Sequence, residues 1–262
     1  MSIINLNCGA LASPMDKVIV ITGASRGIGA ATALLAARQG YRICINYHSD
    51  EGAAQRTLQQ VRDLGAEAIA VRADVSIEDE IIDLFSRVDD ELGPVTALVN
   101  NAGTNGQKSR VEQMSEFRLL SVMKTNVIGP ILCAKHAIMR MSTANGGNGG
   151  AIVNVSSIAA RLGAPNEYVD YAASKGAIDT FTTGLAVEVA PQGIRVNGVR
   201  PGLIHTAFHA LSGDAQRVSK LEGNVPMGRG GQPEEIAEGI LWLLSPQASY
   251  TTGAILDIGG GR

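Results

Sequence analysis

The 262-residue chain carries 22 Lys and Arg against 25 Asp and Glu, a formal net charge of −3, and 45% of its residues are hydrophobic. That length and apolar content support one large core, and the slightly acidic balance, without any basic run, gives no electrostatic case for nucleic acid or an anionic membrane as partner. The three cysteines, Cys8, Cys44 and Cys133, form no CxxC pair and no His/Cys cluster, so no metal is expected and the thiols fit a reducing, cytoplasmic compartment.

Residues 1–16 precede the first cation, Lys17, and lack the basic start of a secretory signal. They are read as an N-terminal extension to which no function is assigned. No apolar run approaches the ~20 residues of a membrane span. The first strand is expected at 17–22 (KVIVIT), opening into 23–29 and an Ala/Leu-rich helix to about 39. A second strand at 42–47 precedes a helix over 51–64. A third strand at 68–71 ends at Asp74, and a helix over 78–92 follows. The fourth strand, 97–100, runs into Asn101-Ala102-Gly103, and a long helix then covers 116–140, with Pro130 as its expected kink. Strands at 151–155, 195–199 and 254–258 and a helix over 171–190 complete the chain. The strands are continuously apolar rather than alternating, which places helices on both sheet faces. Short β-branched runs alternating with helices predict an α/β fold: one doubly wound domain over 17–262, with a seven-stranded parallel sheet. Its least regular part is 203–227.

Between the first strand and helix stands Thr22-Gly23-Ala24-Ser25-Arg26-Gly27-Ile28-Gly29. Glycines there allow a tight turn and let the backbone approach a pyrophosphate at a helix N-terminus. The spacing Gly-x3-Gly-x-Gly departs from the commoner G-x-G-x-x-G. An acidic residue ~20 positions on would bind a ribose 2′-hydroxyl, yet the second strand ends Asn46-Tyr47-His48-Ser49, with no carboxylate until Asp50. Its absence removes a barrier to a 2′-phosphate, and Arg26 adds a cation in the loop, so NADP is favoured over NAD. The bland alternative makes Arg26 a solvated loop residue.

Tyr171-Ala172-Ala173-Ser174-Lys175 opens the helix predicted at 171–190. A Tyr and a Lys four apart share one helical face, and an adjacent ammonium lowers a phenol pKa from its usual ≈ 10. Tyr168 has Ala172 four residues on and lacks that lysine.

These segments together resemble the short-chain dehydrogenase/reductase family over about residues 17–260. The resemblance rests on TGASRGIG at 22–29, Asp74-Val75, NNAG at 100–103, Asn126, NVSS at 154–157, YAASK at 171–175 and Pro201-Gly202, in that order. GQPEEIA at 231–237 and the residues 256–260 add to it. Within the family the chain looks most like 3-oxoacyl-carrier-protein reductases and their broad-specificity relatives. The resemblance implies a Rossmann-type domain in which Tyr171 protonates a carbonyl oxygen or deprotonates an alcohol. Lys175 would lower the Tyr171 pKa and bond the nicotinamide ribose. Ser157 would polarise the substrate oxygen, and Asn126 would position a water leading from Lys175 to solvent. Ser157 lies fourteen residues before Tyr171, where family members often show thirteen. Ser156, one residue earlier, is read as a strand-end hydroxyl satisfying a local backbone group.

The same resemblance assigns Ser25, Arg26 and Ile28, with Gly23, Gly27 and Gly29, to the phosphates, and Tyr47, His48 and Ser49 to the adenosine ribose. Asp74 and Val75 fall to the adenine, Asn101, Ala102 and Gly103 to its ribose, and Pro201, Gly202, Ile204 and Thr206 to the nicotinamide. Asn100 is read as structural, and His205 and His209 as loop residues. Substrate choice is expected in 203–227 and 104–111. The substrate is expected to be a small carbonyl compound or alcohol, and a homotetramer using apolar faces at 131–141 and 181–190 is expected. Two rivals stay open: an NAD(P)-dependent sugar or polyol dehydrogenase, and a nucleotide-binding regulator without chemistry. The second has no physical need of Asn126, Ser157, Tyr171 and Lys175 together.

Overall fold

The computed structural model describes residues 17–208, 214 and 216–262. Seven strands, β1 (Val18–Ile21), β2 (Arg42–Tyr47), β3 (Ala68–Arg72), β4 (Ala97–Asn100), β5 (Gly150–Val155), β6 (Ile194–Pro201) and β7 (Ile255–Ile258), form one sheet. Their order is β3-β2-β1-β4-β5-β6-β7, and every pairing is parallel. Each crossover is a helical stretch: α1 (Gly27–Arg38), α2 (Glu51–Asp63), α3 (Glu78–Glu91), α4 (Glu116–Met123) continuing into α5 (Gly129–Met141), then α6 (Ala159–Leu162) and α7 (Val169–Val189). Beyond β6 come the short α8 (Arg217–Leu221) and α9 (Pro233–Leu244).

The unbroken apolar strands follow from this sandwich. Side chains alternate across a strand, so Ile19 and Ile21 of β1 enter one core with Ile43, Ile45 and Ile240, while Val18 and Val20 enter the other with Phe85, Cys133 and Leu185. Both faces are covered, so all four β1 positions are apolar and fully buried. A third, small cluster of Leu203, Val218 and Val225 holds the segment after β6 together.

The helix over 116–141 has an irregularity two to six residues before Pro130, a wide π turn at Lys124–Ile128, and Pro130 follows that turn at the start of α5. This is also the one described helix long and apolar enough to cross a membrane by length and composition. In the fold it lies against α3, α7, β4 and β5. α7 begins at Val169, so Tyr171 lies inside its first turn rather than opening it. The α9 helix, which strand-and-turn reading passed over, starts with Pro233 and a reciprocal cap between Gln232 and Glu235.

Strand order reverses between β1 and β4, so their carboxyl ends diverge and leave a crevice. That crevice is the mouth of the candidate site.

Candidate active site

A cavity of about 960 Å³ runs along the carboxyl ends of the sheet, from the turn after β1 to Tyr171 and α8. All of the residues expected around a cofactor line it except Gly29, as do Ser157, Tyr171 and Lys175; Gly29 and Asn126 lie behind the wall.

At the phosphate end, the Thr22 hydroxyl accepts from the N–H groups of Asn101 and Ala102, both at 3.0 Å. The Asn101 amide donates back to the carbonyls of Thr22 and Gly23 at 2.9 and 3.0 Å. The ends of β1 and β4 are thereby sewn together under the turn. Gly23 has φ +63°, and a Cβ there would stand 2.9 Å from the Ala102 Cα. A Cβ on Gly29 would fall 2.7 Å from both the Asn101 Nδ2 and the Gly23 carbonyl oxygen, so its role is close packing. At the head of α1, Arg26 makes no side-chain cap bond and the first turn holds no acidic residue. Leading N–H groups and the positive helix end are thus presented to an anion, and a dinucleotide pyrophosphate fits that cradle.

Along the adenosine edge, the Asn46 Oδ1 accepts from the Gly23 N–H at 3.2 Å while its Nδ2 donates to the Ala73 carbonyl at 3.0 Å. Sequence reading used Asn46 only as a position lacking a carboxylate; it is in fact the tie between the ends of β1, β2 and β3. Arg26 donates from Nη1 to the Asp50 Oδ2 at 3.1 Å, with the side chains 41% and 42% exposed. The other Asp50 oxygen caps α2 by accepting from the Ala53 N–H at 2.9 Å. Asp50, the first carboxylate after β2, therefore lines the cavity alongside Arg26.

At the reaction end, Ser157 follows β5 and hydrogen-bonds the half-buried Tyr171 phenol. Burial pushes the Tyr171 pKa up to about 12, the Ser157 bond pulling the other way. Lys175 is buried; its Nζ donates to the Val155 carbonyl at 2.8 Å and lies 5.6 Å from the centre of the Tyr171 ring. Burial brings its pKa down to about 8, with the Asp179 carboxylate opposing. A lysine-lowered tyrosine was expected. Here the Lys175 Nζ turns to the Val155 carbonyl, and desolvation is the largest influence on the phenol. Ser156 is buried and donates to the Lys175 carbonyl at 3.2 Å, a structural bond to α7 rather than to a neighbour in sequence.

Asn126 is fully buried within the π turn. Its Oδ1 accepts from the Thr104 N–H at 2.8 Å, and its Nδ2 donates to the Thr104 carbonyl at 2.7 Å and to the Ser174 Oγ at 3.0 Å. The side chain is a clamp between the chain after β4 and α7, and π turns of this kind recur at functional sites. Asn100 donates to the Asn154 Oδ1 at 2.9 Å and the Pro130 carbonyl at 3.1 Å, beneath the site.

Two ion-pair groups that sequence reading missed fix the substrate side. Arg118 of α4 grips Asp170 of α7 through two bonds of 2.8 and 3.0 Å, and the Asp170 side chain is 1% exposed. Arg118 also donates to the Gln107 carbonyl. Glu167 accepts from Lys108 at 2.8 Å and from Arg217 of α8, and these cations hold its carboxyl down at about 2. Both loops expected to choose the substrate are thus bolted to the residues just ahead of Tyr171. The signals were charges 50 or more positions apart, which no local pattern connects. His205 lies 3.9 Å from Glu222, on the exposed side of its loop. Cys8, His209 and residues 1–16 lie outside the described residues.

The family model described as enoyl-(acyl carrier protein) reductase matches residues 23–262. An uncharacterized oxidoreductase of Escherichia coli (strain K12), YgfF, is 52% identical over 94% of this chain and 99% of its own length. Glucose 1-dehydrogenase 2 of Bacillus subtilis (strain 168) is 37% identical over 94% of each. The crystal structure of acetoin dehydrogenase YohF from Salmonella typhimurium superposes with a TM-score of 0.82 at 35% identity, covering 94% of this chain and 96% of that one.

Proposed function

The chain belongs to the short-chain dehydrogenase/reductase family, and on that premise we propose that it is an NADP(H)-dependent carbonyl reductase with Tyr171 as its acid. The observation that carries this reading is Tyr171, with Ser157 and Lys175 beside it, in one cavity with the uncapped head of α1. Gly23, Ser25, Arg26 and Ile28 would hold the dinucleotide phosphates, and Pro201, Gly202, Ile204 and Thr206 would border the nicotinamide. A bound dinucleotide would supply or take the hydride.

The protein does the rest. Ser157 donates to the substrate carbonyl oxygen and fixes it beside the phenol. As negative charge develops on that oxygen, Tyr171 delivers its proton there. Alcohol oxidation needs the phenolate and gains from alkaline pH. Lys175 supports the Val155 end of the site and offers further donors to the nicotinamide ribose. Ketones, among them 3-oxoacyl thioesters, are the substrate class.

NADP is supported by Arg26 and by the carboxylate-free end of β2. Arg26 presents a five-donor fork of which the Asp50 contact engages Nη1, and a 2′-phosphate would compete with Asp50 for it. That same carboxylate supports the second reading, an NAD(P)-dependent sugar or polyol dehydrogenase, since Asp50 can accept from a ribose 2′-hydroxyl. Exposed apolar side chains on α5 and α7, Ile131, Met139 and Val187, support a homotetramer, and the free buried thiols of Cys44 and Cys133 support a soluble protein of the reducing cytoplasm.

The test is oxidation of NADPH or NADH, followed at 340 nm with acetoacetyl thioesters, simple ketones and diketones, against reduction of the oxidised cofactors with sugars and polyols. Faster ketone reduction with NADPH supports the first reading. Turnover confined to sugars or polyols with NAD replaces it by the second.

A further inference from the structure

The chain leaving β4 passes the reaction end of the site as a loop held at several points. A Cβ on Gly103 would lie 3.6 Å from the Lys175 Nζ, so the loop starts against the reaction centre. Asn126 holds Thr104 through both its N–H and its carbonyl. Further on, Arg118 takes the Gln107 carbonyl, Lys108 binds the Glu167 carboxylate, and the Ser109 N–H donates to the Glu167 carbonyl at 3.0 Å. Between these anchors stands Asn105, 6% exposed. It lines the main cavity and, with Phe208, a small side cavity against the same loop. The Phe208 ring centre lies 6.1 Å from that of Tyr171, so one side chain borders both the phenol and the side cavity.

The Asn105 amide has no hydrogen-bond partner among the described residues, yet it is not one of the sealed polar atoms of the fold, such as the Asn100 Oδ1 or the Tyr168 hydroxyl. It therefore keeps surface, and the two cavities are what this buried side chain faces. An amide set in such a wall loses solvation without return unless something in the cavity bonds it. Leucine would fill the same volume without that penalty. Because the loop is anchored on both sides of Asn105, the amide is a fixed donor and acceptor. The cations around it are already paired: Lys108 and Arg217 with Glu167, Arg118 with Asp170.

We infer that Asn105 is a specificity-determining residue of the substrate site, whose amide bonds a neutral oxygen function carried by the substrate beside its reacting carbonyl. An amide supplies two donors and an acceptor, so it matches a hydroxyl or a second carbonyl. A carboxylate or phosphate calls for a cation, and those near the loop are committed to Glu167 and Asp170. The class is ketones bearing a second, uncharged oxygen. This assignment rests on the reductase reading above and narrows its ketones to that group.

The experiment compares the full-length protein with Asn105→Leu and Asn105→Asp on 2-butanone, 3-hydroxy-2-butanone and 2,3-butanedione. Reduction is followed with NADPH and NADH, and NADPH binding is titrated by fluorescence. In Asn105→Leu, kcat/KM for each oxygenated ketone relative to 2-butanone should fall about fivefold, the size of one neutral hydrogen bond. The 2-butanone rate and NADPH affinity should stay within about twofold of wild type. Asn105→Asp keeps an acceptor and loses both donors, so it should lose the preference for the dione and retain that for the hydroxyketone. This second variant, of nearly the same shape, decides the matter if the leucine protein does not fold. Unchanged ratios in the folded variants overturn the inference and leave the reductase reading standing. Equal loss on all three ketones, or weakened NADPH binding, also overturns it, because the amide would then serve the fold or the cofactor. Turnover of none of the three ketones by the wild-type protein overturns the reductase reading and this inference with it.

Discussion

Replacing Asp50 by Asn and Arg26 by Ala should move NADPH affinity in opposite directions. Arg26 and Asp50 meet at 3.1 Å with about two-fifths of each side chain in solvent. An exposed pair of this kind contributes about 0.2–1 kcal/mol, so releasing Arg26 from Asp50 should tighten NADPH binding by about 1.4-fold to 5-fold. Asparagine is the right replacement because Asp50 also caps α2 through the Ala53 N–H, and Asn caps as well as Asp. Removing the guanidinium deletes a charge-assisted bond to the 2′-phosphate worth about 1.5–3 kcal/mol, a loss of about 10-fold to 150-fold. NADH, lacking that phosphate, should change by less than about twofold in Arg26→Ala. Titration of reduced-cofactor fluorescence on the three proteins, at low and high salt, reads all of this. Weaker NADPH binding in Asp50→Asn, or equal loss of NADPH and NADH in Arg26→Ala, would refute the reasoning.

Further outcomes follow from the same geometry. Lys175 is buried with its pKa brought from 10.5 to about 8, so its charged form destabilises the fold fully below about pH 8. That penalty fades as pH rises toward the unfolded value of about 10.4. Lys175→Met should therefore raise stability at pH 6.5 by up to about 3 kcal/mol, and by much less at pH 10, in urea melts at each pH. Arg118→Met leaves the Asp170 carboxylate, 1% exposed, without its partner, at a cost of about 3–5 kcal/mol. The double variant Arg118→Met/Asp170→Leu should recover most of it in the same melts. Gly23→Ala combines a φ of +63° with a Cβ 2.9 Å from the Ala102 Cα, whereas Gly40, at φ +77°, has nothing within 4 Å. Gly40→Ala should cost about 1–2 kcal/mol by strain alone, and Gly23→Ala distinctly more, with loss of cofactor binding.

Much of this fold was legible because its signals are local. Continuous β-branched runs such as Val18–Ile21 and the Ala/Leu stretch of α1 report strands and helices directly, and strands apolar on both faces point to a parallel sheet covered on both sides. Tyr171 and Lys175 were legible because four residues make one turn of a helix. Ionisation was not. Whether a lysine lowers a tyrosine pKa depends on where the ammonium points, and here it points at Val155. The kink was assigned to Pro130 because proline is the visible breaker, yet the irregularity lies around Asn126, whose amide must reach Thr104. The Arg26 and Asp50 pair, the Glu167 bolt and the unpaired Asn105 amide were hidden for one reason. Each depends on which loops the sheet brings together, and the spacing of 24 to 59 residues between partners leaves no periodic trace.

The most direct test of the account is Tyr171→Phe, assayed in parallel for ketone reduction and for NADPH binding. The variant keeps the ring and removes the proton donor that Ser157 bonds. The account predicts a fall in turnover of at least about 10²-fold with NADPH affinity unchanged. Turnover within tenfold of the wild-type protein, or loss of binding and turnover together, would contradict it.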